Sequence, residues 1–299
     1  MILGGNGNLE AIEFIKDLNE TLYRDFPDIQ TIAEEASDWP GISKPTFMGG
    51  LGFGMKWMMG WMHDTLDYFK LDPIMRSGAQ DKFSFSMMYY YDEHFMLPLS
   101  HDEVVHGKSP MIYKMPGDEW QKFANLRLLY SYMFLHPGAK LLFMGNEFAA
   151  TSEWNFKTEL QWDLLQYPSH YGMKNCIKQL NQLYKTNPAL YELQFDPAGF
   201  EWVETNKRNE GVLAFMRKGK VEETSVLVVL NMTPVSRKDF PIHVYGKKVW
   251  KQIFNSDAPE FWGVGDLSND ELSVTSNPVN NNWGMLSIQL PALSALVFK

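Results

Sequence analysis

The sequence contains a single cysteine, Cys176, and no apolar run of the roughly 18 residues that a membrane-spanning helix needs. One thiol excludes an intrachain disulfide and any metal site built from several cysteines. The sequence also shows no apolar segment of the kind found in a secretion signal. We therefore expect a protein of a reducing, cytoplasmic compartment with no membrane partner.

Positive charge is scarce as well. The 299 residues include 27 lysines and arginines against 36 aspartates and glutamates, so the net charge is −9. This balance would repel a phosphate backbone, and no run of basic residues reverses it locally. We therefore expect no nucleic-acid partner.

Motifs for phosphate and metal binding are also missing. Residues 107–109 (GKS) lack the earlier glycine of a phosphate-binding loop, and the glycines within residues 50–54 do not have the spacing of a dinucleotide site. His101 and His106 are five positions apart, which turns them by about 140° on a helix, away from a shared metal. The sequence therefore predicts neither a cofactor nor a metal ion.

Helical and extended patterns alternate over the first 190 residues. Apolar residues at helical spacing predict a helix over residues 9–23, with Asn8 as its cap. The predicted strands are 28–33, 53–58, 94–99 and 140–144, and the later helices are 61–69, 118–135 and 171–184. Such alternation predicts parallel βαβ units. Four units are about half of a closed barrel of roughly 250 residues, and an open doubly wound sheet, although its glycine fingerprint is missing, stays an alternative.

Beyond Pro188 the pattern changes to short β-rich runs separated by turn residues. The runs cover residues 200–203, 212–217, 225–231, 243–245, 249–254, 285–290 and 295–298. They predict a small antiparallel β-sandwich in which residues 226–230 form a buried central strand. The chain thus divides into an α/β part, residues 1–190, and an all-β domain, residues 197–299.

Two carboxylates are notable for their position. Glu34 and Asp102 each follow a predicted apolar strand, where an acidic side chain has to be desolvated or hydrogen-bonded at some cost. Retaining glycosyl chemistry requires a pair of carboxyl groups, one as acid and base and one as nucleophile. The alternative is that both acids cap the following helices or pair with nearby Lys and Arg.

Aromatic residues make up 14% of the chain, and several fall near the ends of the predicted strands: Trp39, Trp154, Trp162 and residues 89–91. Aromatic faces stack on the C–H groups of sugars, so one or two of these residues are candidates for sugar contacts, while most belong to the core. Cys176 lies in a helical pattern without partners for a nucleophile, and we expect a packed thiol.

Five blocks of the sequence resemble the glycogen branching enzymes of the α-amylase family of glycoside hydrolases. They are residues 31–35 (TIAEE), 52–57 (GFGMKW), 61–68 (WMHDTLDY), 97–107 (LPLSHDEVVHG) and 141–148 (LLFMGNEF). The blocks occur in the order of that family, and the resemblance covers essentially the whole chain. It implies an α/β plus all-β fold: a partial (β/α)8 barrel (strands five to eight) followed by an antiparallel β-sandwich.

The resemblance also implies a function. Branching enzymes cut an α-1,4-glucan and transfer the freed chain to a 6-hydroxyl group, which forms an α-1,6 branch with retention of configuration. By this resemblance Glu34 is the general acid and base, Asp102 holds substrate hydroxyls and stabilises the transition state, and His101 hydrogen-bonds the same sugar. Glu147 matches a position at the barrel rim with a structural role. The expected partner is an α-glucan such as glycogen or an amylose-like chain.

One part of the family pattern is missing. The nucleophilic aspartate of these enzymes follows barrel strand four, with an arginine two residues before it, and this sequence has no counterpart of that block. The resemblance therefore implies a C-terminal fragment that is inactive alone, because no covalent glycosyl-enzyme can form without the nucleophile. Its partner would be the missing N-terminal half of the enzyme. The alternatives are a non-catalytic α-glucan-binding protein and an inactive truncated chain.

Overall fold

The computed structural model describes residues 7–205, 210–246, 249–276 and 283–299. In these ranges the first part of the chain forms one parallel sheet, and the second part forms two antiparallel sheets. The α-helices are α1 Leu9–Asp25, α2 Met59–Lys70, α3 Gln80–Phe85, α4 Glu119–Leu135 and α5 Pro168–Thr186. None of the described helices is long and apolar enough to cross a membrane.

Local sequence determines where two of the helices begin. Asn8 caps α1 by accepting a hydrogen bond from the backbone N–H of Ala11, as predicted. α4 begins with a capping box, in which Asp118 and Gln121 each accept a hydrogen bond from the backbone N–H of the other. Residues 123–135 of α4 are all buried. A helix that is buried on every side lies at the centre of its molecule, and α4 has that position here.

The parallel sheet has the order β1, β2, β3, β4, and each neighbouring pair is parallel. Its strands are β1 Ile32–Ala33, β2 Met55–Trp57, β3 Phe95–Leu99 and β4 Ala139–Leu142. All four overlap the predicted strands. β1 is shorter than predicted, because the N–H of Ile29 bonds to the carbonyl of Phe26 in a turn around Pro27. Parallel strands place their C-terminal ends at one edge of the sheet.

No α-helix connects β1 to β2. The connection contains one turn of 3-10 helix, Thr46–Met48, and the buried carboxylate of Glu93 fastens it by accepting hydrogen bonds from two backbone N–H groups at 2.9 and 2.7 Å. Gly50 allows the loop to fold on itself, since a Cβ there would lie 2.1 Å from the carbonyl oxygen of Lys44. This side of the sheet is therefore covered by a loop.

The second part of the chain contains a six-stranded and a three-stranded antiparallel sheet. The strands are β5 Phe200–Glu204, β6 Val212–Arg217, β7 Val226–Asn231, β8 Arg237–Tyr245, β9 Val249–Asn255, β10 Glu271–Ser273, β11 Thr275–Ser276, β12 Trp283–Leu290 and β13 Ser294–Phe298. Apolar side chains of both sheets form one buried cluster. The predicted central strand is confirmed, because every residue of β7 is buried and β7 lies between β13 and β6. The sequence pattern does not predict the short strands β10 and β11.

Helix α4 and three buried arginines join the two parts. α4 contacts β7 and β13, and buried side chains of both parts belong to one hydrophobic cluster. Arg76, Arg127 and Arg217 are at most 1% exposed. Each donates hydrogen bonds to backbone carbonyls of the other part: Arg76 to Met232, Arg127 to Ser256, and Arg217 to Leu135 and Leu190. Guanidinium groups suit this position because they carry five donors and stay charged.

Candidate active site

The C-terminal edge of the parallel sheet gathers polar side chains from three of its strands. Glu34 follows β1, His101 and Asp102 follow β3, and Glu147 lies in the turn after β4. Because the strands are parallel, these segments leave the sheet on the same side. β1 and β3 are two strand spacings apart, which corresponds to about 10 Å.

Asp102 lies in a turn of 3-10 helix, His101–Glu103, which Ser100 caps. The Oγ of Ser100 accepts a hydrogen bond from the N–H of Asp102 at 3.2 Å and donates one to its Oδ2 at 3.4 Å. The Nε2 of His101 is 3.4 Å from the Oδ1 of Asp102. Ser100 and His101 therefore each contact one oxygen of the carboxylate, while 40% of the Asp102 side chain stays exposed for a ligand.

His101 also contacts two aromatic rings. Its ring centroid is 5.7 Å from that of Phe143, which follows β4, and 6.3 Å from that of Trp154. Phe143 and Trp154 meet edge to face at 5.2 Å, and the N–H of Trp154 donates to the carbonyl of Val104 at 2.9 Å. The segments after β3 and β4 are thus joined into one rim. Trp154 is the predicted aromatic residue that contacts His101.

Glu153 holds the loop of residues 106–109, which continues this rim. Its two carboxylate oxygens accept hydrogen bonds from the N–H groups of Gly107 at 3.0 Å and Ser109 at 2.8 Å. His106 and Ser109 have φ angles of 55° and 67°, which residues other than glycine rarely adopt. Hydrogen bonds from Gly107 and Ser109 lower the pKa of the Glu153 carboxyl, so the loop is held by a charged acceptor at neutral pH.

Glu34 is exposed, and its neighbour Glu35 anchors the loop after β1. The Nζ of Lys56, a buried residue of β2, lies 2.9 Å from the Oε2 of Glu35 and donates to the carbonyl of Ser37 at 3.0 Å. Burial raises the pKa of Glu35, but hydrogen bonds from Ser37 and Lys56 outweigh it, so this pKa lies below its ordinary value. Lys56 thereby fixes the backbone next to Glu34.

The other predicted residues lie outside this rim or at its border. Glu147 is half-buried and lines a groove beside β4. Tyr90 is fully buried in the core, and the side chain of Trp162 is exposed. Cys176 is buried on α5, and burial raises the pKa of its thiol to about 12, in agreement with the predicted packed thiol.

Three side chains that shape the site are absent from the sequence-based prediction: Ser100, Lys56 and Glu153. A serine two residues before an aspartate at the start of a turn is a recognisable capping signal, and it could have identified Ser100. Lys56 and Glu153 give no local signal, because their partners are 21 and 46 residues away along the chain.

Comparison with known protein sequences gives one consistent family. The family model described as the alpha amylase C-terminal all-beta domain matches residues 202–299. The 1,4-alpha-glucan branching enzyme GlgB of Aquifex aeolicus (strain VF5) is 52% identical over 100% of this chain and 47% of its own length. The enzyme of the same name from Albidiferax ferrireducens is 48% identical over 99% of this chain and 47% of its own length. The chain therefore spans about half the length of these relatives.

Solved structures with a similar fold are much less similar in sequence. An alpha-amylase from H. orenii aligns with a TM-score of 0.58 at 16% identity, over 97% of this chain and 57% of its own. The debranching enzyme of Nostoc punctiforme aligns with a TM-score of 0.64 at 13% identity, over 95% of this chain and 55% of its own. At these identities the likeness establishes the fold alone.

Proposed function

This chain belongs to the α-amylase family as a relative of its glycogen branching enzymes, and on that premise we propose that it carries part of a branching-enzyme active site. The activity proposed for the whole enzyme is to cut an α-1,4-glucan and transfer the freed chain to a 6-hydroxyl group, forming an α-1,6 branch. Donor and acceptor are both α-glucans, such as glycogen or amylose-like chains. Residues 1–190 would be the barrel portion and residues 197–299 the all-β domain.

In this proposal Glu34 is the general acid and base. Its exposure at the end of β1 lets it protonate the glycosidic oxygen as the leaving group departs and later take a proton from the acceptor hydroxyl. The exposed part of Asp102 accepts hydrogen bonds from sugar hydroxyls, and its negative charge stabilises the oxocarbenium-like transition state. His101, whose ring packs against Phe143 and Trp154, donates a hydrogen bond to the same sugar.

A retaining transfer also needs a nucleophilic carboxylate, which forms the covalent glycosyl intermediate. We infer that β1 to β4 are barrel strands five to eight, and that the nucleophile is supplied by a segment carrying strands one to four. Two features favour such a partner. In the part of the chain that the structure describes, β1 and β4 each pair on one side only. α1, which precedes β1, exposes the apolar side chains of Leu9, Phe14 and Leu18.

One observation carries the proposal: Glu34 and the pair of His101 and Asp102 leave the same edge of one parallel sheet, in a chain that matches branching enzymes over its whole length. The competing candidates are a glucan-binding protein without catalysis and an inactive truncated chain. The half-paired strands β1 and β4 favour the truncated chain over an autonomous binding protein, because open strand edges promote aggregation.

The test is an iodine-stained branching assay on amylose. The purified chain is assayed alone and after mixing with a separately expressed segment that carries barrel strands one to four of a related branching enzyme. We expect no activity alone and branching on mixing. Glu34→Gln and Asp102→Asn should each lower the restored rate by about 100-fold or more. Glu260→Gln, an exposed carboxylate of the all-β part, is the matched control and should leave the rate unchanged.

The assay separates the candidates. Branching by the chain alone that Glu34→Gln abolishes would contradict the need for an added nucleophile. Branching on mixing that survives Glu34→Gln would remove Glu34 from its proposed role. No branching in either condition, with amylose still bound by the chain, would favour a non-catalytic glucan-binding protein.

A further inference from the structure

The parallel sheet has two free edges in the described part of the chain. β1 pairs only with β2 there, and β4 pairs only with β3. An unpaired edge presents backbone N–H and C=O groups that can bind another strand. α1 lies next to β1, because the N–H of Thr31, just before β1, donates to the hydroxyl of Tyr23 on α1 at 3.0 Å. α5 and the end of α4 lie next to β4.

α1 exposes an apolar stripe to solvent. The side chains of Phe14 and Leu18, one helical turn apart, are 66% and 42% exposed. In this helix, which the structure describes in full, only Asn19 is buried. The apolar side of an amphipathic helix normally packs against other protein. The stripe of α1 therefore indicates a surface that another segment covers.

A groove of about 620 Å³ lies beside the other edge, between β4, α5 and the end of α4. We call it the β4 groove. Its apolar walls come from Phe134, Leu142, Ile177 and Tyr184. An apolar groove of this kind can bind the apolar side of an amphipathic helix. The α1 of the same chain does not lie there, because β1 is three strand spacings from β4, which corresponds to about 14 Å.

The helices at the two edges have opposite charge. α1 carries five acidic and two basic side chains, a net charge of −3. α5, which forms one wall of the β4 groove, carries three lysines and no acidic residue. These lysines, Lys174, Lys178 and Lys185, are all exposed. α1 of one chain and α5 of another therefore attract each other.

We propose that two copies of this chain associate at these edges, with β1 of each copy beside β4 of the other and α1 of each copy in the β4 groove of the other. A twofold axis parallel to the strands generates this arrangement and keeps all strands parallel. Four strands from each copy make eight, which is the number in a closed barrel of parallel strands. Closure pairs every edge, so association stops at two copies.

The dimer goes beyond the proposed function and does not depend on it. It rests on the two free edges, on the exposed stripe of α1 and on the opposite charges of α1 and α5. A segment that carries barrel strands one to four would occupy the same edges and would compete with the second copy. Mixing should therefore convert the dimer into a complex of one chain and one segment.

The test measures the molecular mass of the purified full chain by sedimentation velocity over a dilution series. We expect the mass of two chains. Glu13→Lys/Asp17→Lys reverses charges on α1, and Lys174→Glu/Lys178→Glu reverses charges on α5. Each double variant places like charges at both contacts and should raise the dissociation constant of the dimer by about tenfold or more. An equimolar mixture of the two has opposite charges at both contacts, so dimers should form again.

Two further variants separate a contact at α1 from a general effect of charge. Phe14→Ser removes an apolar side chain from the stripe without changing the charge, and it should also raise the dissociation constant by about tenfold or more. Lys220→Glu/Lys238→Glu, at exposed positions of the all-β part, is the matched control for charge reversal. It should leave the dissociation constant unchanged.

The inference is supported by weaker dimers of Phe14→Ser and of both charge variants, dimers in their mixture, an unchanged control and circular dichroism spectra that are all alike. A wild-type chain that sediments as a monomer at every concentration overturns it. Assemblies larger than two overturn it as well, because the edges would then not close. So does a dimer that none of the α1 and α5 variants weakens, or a mixture of the charge variants that does not associate. Branching on mixing decides the proposed function separately, so the two can fail independently.

Discussion

At the scale of single residues, the buried histidine at the end of α4 makes stability depend on pH. His136 is 1% exposed, and its Nδ1 lies 2.7 Å from the carbonyl oxygen of Pro137. Burial lowers the pKa of His136 to about 3, against about 6.5 in the unfolded chain. Between these values the unfolded chain binds a proton that the folded chain does not bind. The contribution of neutral His136 to the free energy of unfolding is therefore fully present above about pH 6.5. It is lost progressively as the pH falls toward 3.

We expect the titration of His136 to lower the free energy of unfolding by about 2 kcal/mol between pH 7 and pH 5. His136→Gln removes this titration, so its free energy of unfolding should fall by that much less over the same interval. Urea unfolding at both pH values measures the difference. His63→Gln changes an exposed histidine and should keep the wild-type dependence. Equal pH dependence in all three proteins would contradict a neutral buried His136.

At the scale of elements, α5 approaches the all-β part so closely that one position requires glycine. A Cβ at Gly172 would lie 2.6 Å from the backbone carbonyl carbon of Phe261. In an exposed helix a Gly→Ala change stabilises by about 1 kcal/mol, because it reduces the freedom of the unfolded chain. Here the added methyl group meets backbone, which moves only at higher cost, and the steric term outweighs the gain.

Gly172→Ala should therefore lower the free energy of unfolding by about 1–3 kcal/mol, as measured by urea unfolding. Gly78→Ala is the matched control, because nothing lies within 4 Å of a Cβ at that position. It should be neutral or slightly stabilising. A more stable Gly172→Ala protein would show that α5 and the segment of Phe261 are not in close contact.

The sequence predicts the helices and strands better than it predicts which of their side chains are buried by other segments. α1 follows from apolar spacing and from the cap Asn8, because these signals are local. The predicted helix over residues 118–135 matches α4, in which Asp118 is the cap and not the first residue. The same spacing gives no indication that Phe14 on α1 is 66% exposed, since exposure depends on packing partners. In the candidate site, the roles of Glu34 and Asp102 come from family resemblance and stay predictions. The contacts of Lys56 and Glu153 join distant segments, which no local pattern encodes.

At the scale of the whole molecule, the two parts are held together strongly enough to unfold as one. α4 packs against the all-β sheet. Arg217 is a buried cation that donates hydrogen bonds to the carbonyls of Leu135 and Leu190 in the other part, at 2.8 and 3.1 Å. Burial lowers the pKa of Arg217 to about 10, so the group is still protonated at neutral pH. A buried charge stabilises the interface between the two parts only while its acceptors stay in place. Unfolding of one part therefore destabilises the other.

We expect a single unfolding transition, with the same urea midpoint for α4 and for β7 when hydrogen exchange is read by mass spectrometry. Arg217→Met should lower both midpoints together and reduce the free energy of unfolding by about 3 kcal/mol, because buried carbonyls lose a charged donor. Arg24→Met, at an exposed position of α1, is the control and should leave both midpoints unchanged. Separate midpoints for α4 and β7 in the wild type would contradict this coupling.

The contacts between the two parts should hold them together even when the backbone between them is cut. The connection from α5 to β5 exposes residues 191–192 and 196–198, which leaves them accessible to a protease. The hydrogen bonds of Arg76 and Arg127, the hydrogen bond from Arg217 to Leu135 and the packing of α4 join the two parts without using that connection. A nick there would therefore give two peptides on a denaturing gel but one particle in gel filtration.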